Sequence, residues 1–259
     1  MNQEERRIYL IQYLLNEDSQ YEDISIPKNA FDQKKLLRAL MNVRIPKSIN
    51  NQFFTVQDEY LKEEIQRKGI VSIDDLDEIQ KDLYVWQGDI TTLKCDAIVN
   101  AANSQMLGCF CPNHGCIDNA IHTYAGIQLR LKMNEIMSLQ QTLEETGKAK
   151  ITPAYNLPCK YILHTVGPIV RGAVTDKDKE DLKNCYTSCL ELAEKTGLKS
   201  IAFCCISTGE FHFPNDLAAQ IAIETVKEYK RKTSSEMKVI FNVFKSLDKR
   251  IYTDLLGSD

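Results

Sequence analysis

Long apolar runs are missing from this sequence. No stretch approaches the roughly 18 apolar residues that a membrane span requires, so no membrane partner is expected. The N-terminus, MNQEERRIYLIQYLLNEDSQ, also lacks the continuous apolar segment of an export signal. An intracellular, cytoplasmic protein is expected on that ground. A basic surplus is missing too: 32 Lys and Arg stand against 36 Asp and Glu, a net charge of −4. With no interleaving of basic and aromatic residues, that balance argues against nucleic acid as a partner. The nine cysteines are odd in number and irregular in spacing, which does not suggest a disulfide framework.

What is present suits a globular chain. With 259 residues, 43% of them apolar, it can bury one large α/β core plus a small accessory piece. Residues 1–80 read as a helical extension. Ile8, Leu10, Ile11, Leu14 and Leu15 recur at helical spacing, as do Phe31, Leu36, Leu37, Leu40 and Met41. A third stripe, Val56, Tyr60, Leu61 and Ile65, stops at Gly69. The charged stretch IDDLDEIQKD then marks a boundary, and residues 81–259 form the main domain.

From Leu83 onward strand-like and helix-like runs alternate. Strands are expected at 83–87, 97–101, 149–155, 161–166, 200–206 and 238–243. Helices are expected at 117–145 (broken near Gly126), 178–196, 215–232 and 247–256. Runs such as AIVNAA and SIAFCCI are apolar on both faces, as strands buried in the middle of a sheet must be. The pattern predicts a three-layer α/β/α sandwich, with a ligand crevice outside the carboxyl ends of its strands. Cys204 and Cys205 lie within such a run and read as small core residues. Cys185 and Cys189 sit one helical turn apart but recruit no His or acidic partner.

Five segments at strand ends carry chemistry-bearing residues. Asp89, in GDIT, is either a cap of the following turn or an acceptor for an exocyclic amine such as adenine N6. Asn100 and Asn103 flank two alanines, an arrangement that suits a structural turn or close approach by ribose hydroxyls. In GCFCPNHGC, residues 108–116, three cysteines and a histidine crowd together. Thiolate and imidazole are preferred zinc ligands. Ligands drawn from one loop, with no distant partner pair, leave a coordination position open, the arrangement of a catalytic rather than a structural site. The alternatives are reduced thiols beside a hydrogen-bonded His, and a closed structural site that uses all three cysteines and the histidine. This loop runs into a helix whose free N–H groups suit a diphosphate, and Asp118 lies in its first turn. Ser207-Thr208-Gly209-Glu210-Phe211 forms a small-residue turn between strand and helix that can wrap a phosphate. Phe244 closes the last strand, where an aromatic either joins the core or stacks on a base.

The order of these motifs resembles the macrodomain family of ADP-ribose binders and hydrolases: GDIT, IVNAANS, a Gly/Cys loop leading into IDNAIHTYAG, ISTGEFHFP and a terminal aromatic strand. The likeness spans roughly residues 83–256 and implies a mixed central sheet in the three-layer fold. In most macrodomains the loop before the helix is glycine-rich and metal-free. CFCPNHGC instead resembles the loop of zinc-containing bacterial macrodomains, which also carry a helical N-terminal extension. The resemblance implies that Asp89 and the Ile90 backbone bind adenine, that Asn103 and Asp118 face the distal ribose, that Ser207 to Phe211 hold the diphosphate, and that Phe244 sits against the base. It implies one Zn2+ per chain on Cys109, His114 and Cys116, with Cys111 an extra sulfur, and a phosphate loop in which His212 stands where many relatives have glycine. The function so implied is hydrolysis of mono-ADP-ribose from protein side chains, with Asp118 and Asn103 as catalytic residues. The substrate protein implied is a lipoyl carrier protein modified by a sirtuin-type transferase. A non-catalytic ADP-ribose reader is the alternative.

Overall fold

A computed structural model describes residues 1–257. The chain opens with three helices: α1 (Gln3–Leu15), α2 (Ala30–Val43) and α3 (Asn51–Lys68). Each starts on an asparagine whose side chain accepts a backbone N–H of the first turn: Asn2, Asn29 and Asn50. Their apolar stripes meet in a small core of Leu10, Ile11, Leu14, Leu37, Leu40, Met41, Phe53, Val56, Tyr60 and Leu61, which reaches the main domain through Ile127. Phe31 is not part of it; it is 66% exposed at the start of α2, with the Lys35 ammonium 4.3 Å above its ring.

The main sheet has seven strands in the order β2-β3-β9-β8-β5-β7-β6. These are β2 (Glu78–Gln80), β3 (Leu83–Gln87), β5 (Ala97–Ala102), β6 (Ala149–Pro153), β7 (Tyr161–Val166), β8 (Ser200–Phe203) and β9 (Lys238–Val243). The five inner strands are mutually parallel, and β2 and β6 close the two edges antiparallel. A two-residue strand, β1 (Val71–Ser72), pairs with β4 (Leu93–Lys94) beside it. β2 thus lies inside the charged stretch expected to mark the boundary, and already belongs to the main sheet. Every residue of β8, and all but one of β5, is buried, so both faces of the sheet are covered. That makes the fold the three-layer sandwich with a mixed sheet that the strand pattern and the resemblance predict.

The helices of the main domain are α4 (Ile117–Ala125), α5 (Ile127–Gln140), α6 (Asp176–Lys195), α7 (Asn215–Thr233) and α8 (Ser246–Gly257). The long helical stretch after the cysteine loop is broken at Gly126, whose φ of +97° favours glycine. A Cβ there would also come within 2.7 Å of Gln57 Nε2, so the break doubles as the seat of α3. α6, α7 and α8 pack side by side, while α4 contacts α2, α3 and β5. Because the inner strands run parallel, their carboxyl ends share one rim, and the loops after β3, β5, β8 and β9 all open there. No helix among the described residues is long and apolar enough to cross a membrane.

Candidate active site

At the first corner of the rim, Asp89 does act as a cap. Its Oδ1 accepts from the Thr91 backbone N–H (3.0 Å) and the Thr91 hydroxyl (2.6 Å). The sequence pattern did not point to Lys68, at the end of α3, whose Nζ donates to Asp89 Oδ2 at 2.7 Å and lies 3.3 Å from the Tyr124 ring centroid. Burial pulls the Asp89 carboxyl up, but hydrogen bonds from Lys68 and Thr91, with the Lys68 charge, outweigh it and hold the group below its usual range. β3 and β9 are in register up to Gln87 and Val243, so Asp89 and Phe244 emerge from neighbouring strand ends. Phe244 is 76% exposed, which excludes a core role.

Behind the rim lies a buried polar relay on β5, β7 and α4. Asn100 Nδ2 donates to Asp118 Oδ1 at 2.8 Å and lies 3.2 Å from His164 Nδ1, its register partner on β7. His164 Nε2 is 2.9 Å from the Thr152 hydroxyl. With the Asn100 amide donating, His164 accepts at Nδ1 and carries its proton on Nε2. Burial pushes the His164 imidazole down to about 3, so it is neutral. Asn103 lies just past the end of β5: its Nδ2 donates to the Gly108 carbonyl (3.1 Å) and toward Asp118 Oδ2 (3.4 Å). Asp118 is 4% exposed. Burial drives its carboxyl up to about 6 against the downward pull of the Asn100 hydrogen bond and the Arg130 charge. His122, one turn along α4, is held neutral by burial first and then by the Arg130 charge. Its 3.5 Å approach to Asp118 Oδ1 is therefore not an ion pair.

The cysteine loop wraps over this relay. Gly108, with φ at +83°, lies flat on the His122 ring, and a Cβ there would fall 2.7 Å from His122 Cγ. The loop then turns back on itself through a hydrogen bond from the His114 N–H to the Cys111 carbonyl, which brings one face of its donors together. Cys109 Sγ and His114 Nδ1 are 3.6 Å apart, and the donor atoms of Cys109, His114 and Cys116 all lie within 4.8 Å of one another. Among the described residues no other group of His, Cys and acidic side chains forms such a set. Cys111 is exposed and outside it. Cys116 caps α4, its Sγ accepting the Asn119 N–H at 3.4 Å. Burial pushes the Cys116 thiol up to about 12, with Cys109 and Asp118 adding to the rise. Two sulfurs and an imidazole at this spacing can hold a divalent cation, whose binding would displace the thiol protons.

The last corner is the loop after β8. Ser207 and His212 both adopt positive φ, +65° and +57°, a costly conformation away from glycine. The loop is fixed by bonds from the Thr208, His212 and Phe213 amides to the Cys205, Gly209 and Ser207 carbonyls. The amides of Gly209, Glu210 and Phe211 take no part in these turns. Ser207 Oγ is buried without a partner. Phe213 is core, whereas Phe211 is half-buried. Glu210 Oε1 stands 3.6 Å from His114 Nε2, so this loop meets the cysteine loop edge to edge. The structure therefore gathers Asn103, Asp118, Cys109, His114, Cys116 and Glu210 in one place, with Asp89 and Phe244 at strand ends along the same rim. Asn100, already marked by its motif, joins them, as do His164, Lys68 and the buried Arg130, which no local motif announces.

Comparison with known proteins agrees with this architecture. The sequence model described as Macro domain matches residues 99–222. A protein of Treponema medium named protein-ADP-ribose hydrolase is 56% identical over 99% of this chain and 100% of its own length. A Staphylococcus aureus (strain MRSA252) protein of the same name is 48% identical over 97% of this chain and 95% of its own. Both matches include the helical extension. Among solved structures, a Trypanosoma brucei macrodomain in complex with ADP-ribose superimposes with a TM-score of 0.66 at 28% identity, covering 85% of this chain and 95% of that one. With these identities over nearly the whole chain and this structural likeness, the chain belongs to the macrodomain family.

Proposed function

We propose that this protein hydrolyses the bond between the distal ribose C1″ of ADP-ribose and a modified protein side chain, with a zinc ion held by Cys109, His114 and Cys116. The observation that carries the proposal is the convergence of those three donor atoms, all within 4.8 Å of one another, beside Asp118 and Asn103. Tetrahedral zinc with bonds of about 2.3 Å to sulfur and about 2.0 Å to nitrogen separates such ligands by about 3.5 Å. The 3.6 Å between Cys109 Sγ and His114 Nδ1 fits that requirement. A zinc ion with one open position supplies Lewis acidity toward a ribose oxygen or water.

The chain's own residues supply the rest. Asp89 Oδ2 retains acceptor capacity for the adenine amine beside Lys68, and the Ile90 backbone flanks it. Phe244 offers its ring face to the base. The Gly209, Glu210 and Phe211 amides, with Ser207 and Thr208 shaping the turn, cradle the diphosphate. Asn103 orients the distal ribose. Asp118, near half-ionised around pH 6, takes the proton of the attacking water. Water adds to C1″, the bond to the side-chain heteroatom breaks, and that heteroatom leaves with a proton. The substrate is accordingly a mono-ADP-ribosylated protein, and a lipoyl carrier protein modified by a sirtuin-type transferase is the candidate that the resemblance implies. Nine free cysteines support a reducing, cytoplasmic setting.

The test is metal analysis of the purified full chain, coupled to release of free ADP-ribose from a mono-ADP-ribosylated protein. One zinc per chain is expected, and His114→Ala should lose metal and turnover together. Full turnover by a zinc-free His114→Ala protein would end the metal reading. Tight ADP-ribose binding with the protein-bound label retained would make the chain a reader instead.

A further inference from the structure

Besides its own turn and its bonds to the main domain, the cysteine loop is held by contacts from the extension. On α2, Arg38 reaches across 76 residues of sequence to donate Nη2 to the His114 carbonyl at 2.9 Å. The same guanidinium donates Nη2 (2.7 Å) and Nε (3.1 Å) to Asn119 Oδ1. Asn119 is fully buried and is itself a hub. Its Nδ2 donates to the Cys111 carbonyl at 2.9 Å, and its backbone N–H donates to Cys116 Sγ. One turn further along α2, buried Asn42 accepts the Asn113 N–H at 3.0 Å and donates to the Thr123 hydroxyl at 3.0 Å. Asn113 sits at a φ of +54°, so this bond pins the residue at the apex of the turn.

The coupling is closed from the other side. Arg130, on α5, donates Nη1 to the carbonyls of Met41, Asn42 and Arg44, the otherwise unbonded end of α2. Its Nε donates to the Leu107 carbonyl at 2.7 Å, and its guanidinium lies 4.2 Å from the Phe110 ring centroid. Residues 107, 110, 111, 113, 114 and 119 are therefore tied, directly or through one side chain, to α2.

From this geometry we infer that α2 is the outer half of the metal site. Arg38 is the positioning residue that sets where His114 and Cys116 present their donor atoms, and Asn42 fixes the turn that leads into His114. The inference rests on the metal reading proposed above. Its physical basis is that outer groups holding first-contact ligands in place contribute to affinity by reducing what must be ordered on binding. A planar fork that spans two acceptors cannot be replaced by a single ammonium.

The experiment compares the full chain with Arg38→Met, Arg38→Lys and, as a control, Arg6→Met. Arg6 bonds Glu59 and Glu63 wholly within the extension and touches nothing in the loop. Zn2+ affinity is measured by competition with a chromophoric chelator. The Co2+-loaded proteins are compared by visible absorption, which reports ligand geometry. Folding is checked by binding of ADP-ribose and by thermal melting. Arg38→Met should lose about 10- to 100-fold in metal affinity with a shifted Co2+ spectrum, Arg38→Lys should fail to restore either, and Arg6→Met should match the unaltered chain. Should Arg38→Met not fold, the Arg38→Lys measurement decides alone. Unchanged affinity and spectrum in the Arg38 variants, or equal losses in Arg6→Met, overturn the role of Arg38 while leaving the metal site standing. If the unaltered chain takes up no Zn2+, the metal reading falls and this inference falls with it.

Discussion

Asn100 and His164 face one another across adjacent parallel strands, Nδ2 to Nδ1 at 3.2 Å, with no solvent exposure at either residue. The pair holds Asp118 from behind without touching the rim itself, and it has a consequence for acid stability. The His164 pKa in the folded chain is about 3 because of burial, against about 6.5 in an unfolded chain. Below pH 6.5 the unfolded state binds a proton that the folded state refuses. The contribution of this group is therefore complete above that pH and is lost as pH falls toward 3. The expected slope is about 1.4 kcal/mol per pH unit from this residue. His164→Asn should cost stability at neutral pH and flatten the acid limb by one proton. Urea unfolding at pH 7, 5 and 4 measures both quantities, and an unchanged slope in the variant would show that His164 titrates normally.

The central strands were readable because burial on both faces leaves few polar residues to interrupt them: AIVNAA, in which Asn100 alone is polar, and the run ending in Phe203 are nearly continuous apolar stretches. The break at Gly126 was readable for the same kind of local reason, a glycine inside a helical period. What escaped was short or distant. β1 and β2 have two and three residues, too few to show any period, and β2 lies inside a charged stretch read as a boundary. Lys68 meets Asp89 and Arg38 meets His114 across 21 and 76 residues, so no spacing rule links them. Nor could spacing decide among four adjacent donors. Cys111 is turned outward by the reversal of the loop, through a backbone bond that side-chain chemistry does not announce.

Asp89 offers a test of base recognition independent of any metal. Its Oδ1 is occupied by two Thr91 donors, leaving Oδ2 to share between Lys68 and a ligand amine. Hydrogen bonds to a charged acceptor are worth about 1.5–3 kcal/mol. ADP-ribose should therefore bind at least about tenfold more tightly than its hypoxanthine analogue, which lacks the exocyclic amine. Asp89→Ala should abolish that preference rather than merely weaken both ligands. Calorimetric titration of the two ligands against both proteins reads the difference directly. A preference that survives the substitution would leave Asp89 as a cap alone.

Asp118 separates chemistry from binding. Replacement by Asn preserves its shape and removes the carboxylate that would accept a proton. Turnover should fall by about 10²- to 10⁴-fold, the range for loss of a general base, while ADP-ribose affinity changes only a few-fold. Equal losses in the two measurements would reassign Asp118 to ligand binding. Because Asn100 holds Oδ1 at 2.8 Å, the melting temperature of Asp118→Asn must be checked alongside, so that a disturbed relay is not mistaken for lost chemistry.

Phe241 and Phe244 lie three residues apart on one strand and its end, yet the structure gives them opposite fates. Phe241 is 1% exposed and packs on Tyr252 with ring centroids 5.1 Å apart; Phe244 is 76% exposed. Truncating a buried phenylalanine costs about 3–5 kcal/mol, whereas an exposed one away from special features changes stability by no more than about 0.5 kcal/mol. A ring that stacks on a base contributes about 1–3 kcal/mol to binding. Phe241→Ala should therefore lower the unfolding midpoint sharply. Phe244→Ala should leave it in place and weaken ADP-ribose binding by about 5- to 150-fold, with little effect on ribose 5-phosphate, which has no base. If Phe244→Ala binds ADP-ribose as the unaltered chain does, the ring has no part in holding adenine. The base would then rest on the Asp89 and Ile90 side of the rim alone.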